Sequence, residues 1–545
     1  MKKQSFLQGA GILALATVAV KLIGALYKIP LNNVIGKEGY AYFLQSYDIY
    51  ALLLTISTAG LPVAMSRMIA DAQARGNLAQ VRRINESAMR VFMAIGIFGT
   101  LLMTVLCKPL AVMMGIPDGW PVILCLGPAV LFVCINSAFR GFFQGQSIMT
   151  PTGVSQIIEA ACKLLLGLLL AFLIMKLSKN VIGSVAGAIL GVTIGSVLAF
   201  VYLYREYRKS APQLEDNGAT QPSKTVRATI EELLTIAVPI TIGSAGLQVI
   251  NLIDNALIMR RLQESAGFSY EVAKGLRGLY GTAQTLFNLP SALVLPFTIS
   301  LIPAIAAAMA KRDRKTALAT ENSGIRIMTL LILPCGVGLG VLGQPIIRLL
   351  YSSNYTEADI ATAGSLLSIV SIAVILNGLV LLLNAIMQAH GYVSLPVVNM
   401  IIGGIVKVVI NFILVGNHKI HIYGAPIGTV ISFLVITALD IICLNRTIKD
   451  PPNVLKLMVR PLLACLFMGM AAYSVDGLLS EVMSPKLSCI IGIMAAVVVY
   501  VILVLALKII TYEDCLLLPK GEKIAKILRI EAKDPYLLKE ESENG

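Results

Sequence analysis

Among the ionisable side chains within or beside the long apolar stretches of this chain, six are candidates for a binding site: Lys21, Lys28, Asp48, Arg67, Lys163 and Lys407. An ionised group near the centre of a membrane helix costs roughly 2.5–3.5 kcal/mol on insertion scales unless it is paired or hydrated. Each therefore marks either a buried ion pair or the wall of a wet cavity. Lys21 lies about ten residues, roughly 15 Å, from the outer end of its stretch, too deep to reach the interface comfortably. Asp48, at a similar depth in the next antiparallel stretch, is its expected partner. Lys28, nearer the outer end, can extend to the interface or face the cavity. Lys163 and Lys407 occupy the middle of matching stretches; Lys163 has Glu159 one turn earlier, in the order that favours a local pair, whereas Lys407 has Gly403 there and no carboxylate in its own helix. Arg67, after Gly60-Leu61-Pro62 and one turn before Asp71, is either the guard of an inner mouth or an interfacial anchor. Asp254 is the candidate for coupling to a cation, with a simple pair to Arg261 as the alternative. Arg140 and Asp440 border the apolar stretches and are read as structural. The set is dominated by cations, so the chemistry it suits is the holding of an anion.

Patterns for catalysis are missing. The sequence has no Walker loop, no His-Glu-x-x-His and no Gly-x-Ser-x-Gly. His418 and His421 are spaced i,i+3 in a loop without nearby cysteine or carboxylate, and the nine cysteines form no CxxC pair, so neither a metal nor a cofactor is expected. A membrane-embedded glycosyltransferase would need paired carboxylates in a sizeable outer loop, and the outer loops are short. A transporter driven by an ion gradient, by voltage or by its substrate's own gradient fits better than an enzyme.

The elements that must carry these groups are membrane helices. The chain has 545 residues, 57% of them hydrophobic and only 14% charged, with a mean hydropathy of +0.81, far too apolar for a soluble domain. Spans are expected at 6–31, 41–66, 86–107, 121–141, 152–175, 181–204, 232–258, 279–309, 324–350, 364–389, 394–416, 422–445, 458–478 and 487–509, each long enough to cross the hydrocarbon layer. Their uniform apolarity excludes a barrel, whose strands alternate. The net charge of +14 would suit nucleic acid, but the clusters Arg75/Arg82/Arg83, Arg205/Arg208/Lys209, Lys311/Arg312/Arg314/Lys315 and Arg446/Lys449 all fall on one side, as positive-inside orientation requires. Both termini are therefore expected in the cytoplasm and no nucleic acid is implied. Arg260, Arg261, Lys274 and Arg277 are the exception, on the outer side. Lys2-Lys3 before an apolar run resembles a signal peptide but lacks a cleavage site, which predicts a retained first span.

An internal repeat organises the spans. Ser87, Arg90 and Pro109 recur as Ser323, Arg326 and Pro345; Gln144 and Lys163 as Gln388 and Lys407; Gly183, Gly187 and Arg205 as Gly424, Gly428 and Arg446. Six spans per repeat start both halves on the same side, giving parallel repeats. The expected fold is an all-α polytopic membrane protein of about 14 helices. It comprises an N-lobe (1–204), a cytoplasmic linker (205–231), a C-lobe (232–446), two further helices (447–510) and a cytoplasmic tail (511–545). In the tail, Lys520, Lys523, Lys526 and Arg529 with Ile524, Ile527, Leu528 and Ile530 suit either an amphipathic helix on the inner leaflet or a solvated tail.

The run Lys21-Leu-Ile-Gly24-Ala-Leu-Tyr27-Lys28-Ile-Pro30, then Gly36-Lys-Glu38-Gly39-Tyr-Ala-Tyr42 and Gly60-Leu-Pro62-Val-Ala-Met-Ser66, resembles the stage V sporulation protein B branch of the MOP exporter superfamily, which is related to lipid II flippases and polysaccharide exporters. Ala237-Val-Pro239-Ile, Asn251-Leu-Ile-Asp254, Leu289-Pro290 and Ser300-Leu-Ile-Pro303-Ala carry the likeness into the second half. It implies two lobes around a central cavity that opens alternately to the two sides, with basic residues gripping a lipid pyrophosphate. It also implies a groove for the lipid tail on spans thirteen and fourteen. Lys21 stands where lipid II flippases commonly have an arginine, and Tyr27 where they have a second. The eighth span, where the resemblance places a further cavity arginine, has none between Tyr280 and Ala310. The expected partners are thus an undecaprenyl-pyrophosphate-linked saccharide and membrane lipids, with a coupling cation as a further candidate. A cation-coupled multidrug exporter of the same superfamily and a non-transporting cell-wall synthesis scaffold are the alternatives.

Overall fold

A computed structural model describes residues 6–210, 222–512 and 514. The middle of the linker (211–221) and the tail positions Lys520 to Ile530 lie outside them. Backbone groups in hydrocarbon must find their partners within the chain, and the described residues form helices with no strand among them. The first half comprises α1 (Phe6–Thr58), α2 (Leu61–Ala74), α3 (Leu78–Val105), α4 (Cys107–Met113), α5 (Trp120–Gly145), α6 (Thr150–Cys162), α7 (Leu168–Ser178) and α8 (Val181–Ser210). The second comprises α9 (Val226–Glu264), α10 (Tyr270–Ala310), α11 (Arg314–Val341), α12 (Gly343–Tyr351), α13 (Glu357–Ala389), α14 (Ser394–Val415) and α15 (Gly424–Thr447), followed by α16 (Val454–Ser480) and α17 (Pro485–Ala506).

Among the described residues, 12 helical stretches are long and apolar enough to cross a membrane, against the fourteen spans expected. The first two merge into one stretch, Gly11–Ala74, and the eighth falls on Tyr270–Ala310, which is not among the 12. The merger has a local cause. The polar segment around Asn32 to Gly39 looks like a loop, yet α1 continues through it with a break at Gly36 alone, whose φ of 70° and ψ of 176° are open to glycine and strained for any residue with a Cβ.

Repetition extends to the ends of the helices. Asn77 before α3 and Asp313 before α11 adopt nearly the same conformation (φ −88°, ψ 82° and φ −92°, ψ 83°), and each side chain accepts the amide N–H three residues on. Both helices run 28 residues, end on a valine and are capped by the leucine that follows, Leu106 or Leu342, again in matching conformations. Such caps satisfy backbone donors that the helix leaves orphaned, so the repeat is written into helix signals as well as apolar periodicity.

Contacts group the chain into two compact units. One comprises Met1–Thr285 with Ser353–Tyr355 and Gly404–Gly428; the other comprises Leu286–Ser352, Thr356–Gly403 and Thr429–Gly545. In the first, α5 packs against α3 and α8. In the second, α11 packs against α13 and α16, and α16 against α17. There Leu342, Met468, Ala472 and Ala496 form a buried cluster, and Tyr500 Oη donates to Leu330 O at 2.8 Å.

Candidate functional site

Two consecutive residues of α9 organise a charged cluster inside the first unit. Asp254, 1% exposed, holds Lys407 Nζ of α14 at 2.9 Å through Oδ2, and its Oδ1 accepts Asn411 Nδ2 at 2.5 Å. Asn255 turns to other neighbours, as a 100° step along the helix allows. Its Nδ2 donates to Asp48 Oδ2 of α1 at 2.8 Å, while its Oδ1 accepts from Arg277 of α10 at 3.0 Å. The Asn255 carbonyl also accepts from Gln45 Nε2 at 3.1 Å. One amide thus joins a guanidinium to a carboxylate.

Arg277 is 1% exposed. It donates to Gln284 Oε1 at 3.3 Å as well as to Asn255, and its Nε keeps no partner among the described residues. Its position depends on the next residue: a Cβ at Gly278 would overlap the Lys37 carbonyl oxygen, so only glycine lets α10 come this close to α1, just past the Gly36 break.

Lys163 enters from a π-helical turn, Lys163–Gly167, that links α6 to α7; such turns recur at functional sites because they re-aim side chains within a helix. Its ammonium lies 4.3 Å from the Tyr47 ring centroid and 5.1 Å from that of Tyr27, with Phe43 at 5.9 Å. These distances are within the cation–π range, so aromatic faces replace part of its hydration. Lys28, half-buried, makes no direct ion pair among the described residues, but the charges of Lys163 and Asp48 both act on it. Asp48 in turn experiences Arg277, Lys28 and Lys407.

Lys28, Asp48, Lys163, Asp254 and Lys407 therefore come together with Arg277, whereas Lys21 and Arg67 stand apart. Lys21 is exposed two turns before Lys28 and does not pair with Asp48, which is taken by Asn255. Arg67 is exposed on α2, and Asp71 pairs with Arg75 at 3.0 Å instead. Lys163 does not pair with Glu159, which is held by Arg140 at 2.9 Å and by Asn136 at 3.0 Å. Asp254 does not pair with Arg261, whose Nε donates to Phe412 O at 3.0 Å. For Glu159 and Arg261 a partner distant in sequence displaces the local one, which spacing along one helix cannot reveal.

Sequence reasoning misses Arg277 and Asn255. The eighth span, expected from 279, begins in the structure as α10 at Tyr270, so Arg277, one turn before Tyr280, belongs to this helix. A signal was available: Lys274 and Arg277 break the positive-inside pattern, and both are buried, Lys274 beside Glu271 at 2.7 Å and Tyr42 Oη at 3.2 Å.

Residues 6–309 match the model of the polysaccharide biosynthesis protein family. The chain is 24% identical over 526 residues to stage V sporulation protein B of Bacillus subtilis (strain 168), covering 95% of this chain and 98% of that protein. It is 26% identical over 453 residues to the lipid II flippase MurJ of the same organism, covering 81% and 82%. A solved structure of lipid II flippase MurJ in an inward closed conformation superposes with a TM-score of 0.69 at 16% identity, covering 90% of this chain and 97% of that one.

Proposed function

Because this chain belongs to the polysaccharide biosynthesis protein family, we propose that it carries an undecaprenyl-pyrophosphate-linked saccharide from the inner to the outer face of the bacterial cytoplasmic membrane. The saccharide is a lipid II-like peptidoglycan precursor or another surface polysaccharide unit. The observation that carries this reading is the charge of the cluster: among the described residues, Lys28, Lys163, Arg277 and Lys407 stand against Asp48 and Asp254. Four cations against two carboxylates leave two positive charges, which match the two negative charges of a pyrophosphate diester. A phosphate entering this depth loses hydration and must find charged donors. The Nε of Arg277 and the ammonium of Lys28, neither with a partner among the described residues, supply them, with Lys21 two turns along α1 as the first point of contact.

Both sequence halves contribute. Lys28, Asp48 and Lys163 come from the N-lobe (1–204); Asp254, Asn255, Arg277 and Lys407 come from the C-lobe (232–446). Transport by alternating access breaks the Asn255–Asp48 bond as the lobes part and closes it again once the pyrophosphate has left. With both termini cytoplasmic, an inside-negative potential favours outward movement of the anion by about 2.3 kcal/mol per charge per 100 mV. A coupling cation at Asp254 would have to displace the Lys407 ammonium from the same carboxylate. The multidrug alternative fares worse, because a cationic drug meets a surplus of positive charge.

Depletion tests the reading. Loss of the protein is expected to accumulate an undecaprenyl-pyrophosphate-linked saccharide on the inner leaflet; unchanged precursor pools with raised sensitivity to organic cations would support the drug exporter instead.

A further inference from the structure

The second unit contains a cavity of about 920 Å³ bounded by α11, α12, α13, α16 and the start of α17. This is within the range of roughly 300–1,000 Å³ that small-molecule sites occupy. Its wall carries opposite charges. Arg348 on α12 gives one terminal nitrogen to Glu357, yet its Nε has no partner among the described residues. Asp476 on α16 accepts Ser488 Oγ at 2.9 Å with one carboxylate oxygen, and no hydrogen bond to the other is seen among the described residues. The serines of the wall add acceptors: Ser365 and Ser480 donate their own hydroxyls to carbonyls of their helices, Ala361 O and Gly477 O, at 2.9 Å each, leaving the oxygen lone pairs to a ligand. Tyr473 and Leu478, 69% and 71% exposed, complete the rim and continue into the apolar outer face of α16 formed by Phe467 and Met470.

We propose that this cavity binds the headgroup of a zwitterionic phospholipid with a primary ammonium, of the phosphatidylethanolamine class, with its acyl chains lying on the apolar face of α16. Arg348 takes the phosphate, and Asp476 with the serine oxygens takes the ammonium. The acceptors decide between headgroups: a primary ammonium offers three N–H donors to them, whereas a trimethylated one offers none. An anionic headgroup without an amine would leave the Asp476 carboxylate facing negative charge. The apolar rim separates a lipid from a soluble phosphoethanolamine, which has no chains to lay there.

The experiment uses the full chain, purified in detergent and offered phosphatidylethanolamine, phosphatidylcholine or phosphatidylglycerol of identical chains, with retained lipid counted by native mass spectrometry. Phosphatidylethanolamine is expected to be retained at least about tenfold better than either other lipid. Arg348→Gln and Asp476→Asn should each remove that preference. Ser365→Trp, at an exposed position, fills the cavity without touching either charge and should also remove it while the thermal unfolding of the lipid-free protein stays unchanged. Equal retention of the three lipids, or a preference that survives Ser365→Trp, would overturn the assignment. So would phosphatidylglycerol retention dependent on Arg348 alone, which marks a phosphate site, or displacement of the lipid by glycerophosphoethanolamine at equal concentration, which marks a soluble ligand.

Discussion

Asp254 and Lys407 form an ion pair of 2.9 Å whose carboxylate is 1% exposed and whose ammonium side chain is 16% exposed. Removing one member of such a pair leaves a buried charge unbalanced, at a cost of about 3–5 kcal/mol. Lys407→Gln should therefore lower stability by an amount of that order, and adding Asp254→Asn should recover most of it. Export should not recover with it. Thermal unfolding in detergent, read beside complementation of a depleted strain, separates the two effects; a double variant that restores export would remove Lys407 from the substrate site.

Asn255 acts through its neighbours. Its amide bonds both Asp48 and Arg277, and hydrogen bonds to charged groups contribute about 1.5–3 kcal/mol each. In Asn255→Leu the two charges lose their common holder, so export should fall at least about tenfold, the effect of some 1.4 kcal/mol. Asn255→Gln, which keeps the amide on a longer arm, should recover part of it. If Asn255→Leu exported like the wild type, the bridge between the halves would have no part in transport.

Lys163 is held by ring faces rather than by a carboxylate. Tyr47→Phe keeps a face and should leave export within about twofold of wild type, while Tyr47→Leu removes a contact of about 0.5–2 kcal/mol and should weaken substrate binding correspondingly. The ratio of the two variants' apparent affinities is the measurement; equal affinities would show that the ring serves packing alone.

Much of the fold was legible in the sequence because membrane helices announce themselves locally. Apolar length placed most spans, and the recurrence of Ser87, Arg90 and Pro109 as Ser323, Arg326 and Pro345 marked helices whose caps the structure shows to match. The site was legible only in part. Lys163 and Lys407 stand out as charges in apolar runs, but their surroundings are made by helices distant in sequence. Glu159 looked like the partner of Lys163 and belongs to Arg140. Arg277 was obscured because hydropathy places a helix end where polarity begins, whereas α10 continues through a polar turn packed against α1.

The proposed orientation rests on the bias of Lys and Arg toward one side. In a background lacking the nine native cysteines, Ser223→Cys, exposed just before α9, should resist an impermeant thiol reagent in intact cells and react after permeabilisation. Rapid labelling from outside would reverse the proposed topology.

The most direct test reconstitutes the purified chain in liposomes that carry a fluorescent polyprenyl-pyrophosphate disaccharide and follows its exposure to an impermeant quencher. Wild-type protein should move the lipid between leaflets, Arg277→Lys should retain part of the rate, and Arg277→Gln should lose at least about tenfold while remaining folded. Movement of the lipid by Arg277→Gln at the wild-type rate, or wild-type liposomes that transport an organic cation and leave the lipid in place, would contradict the assignment of this cationic cluster to a lipid pyrophosphate.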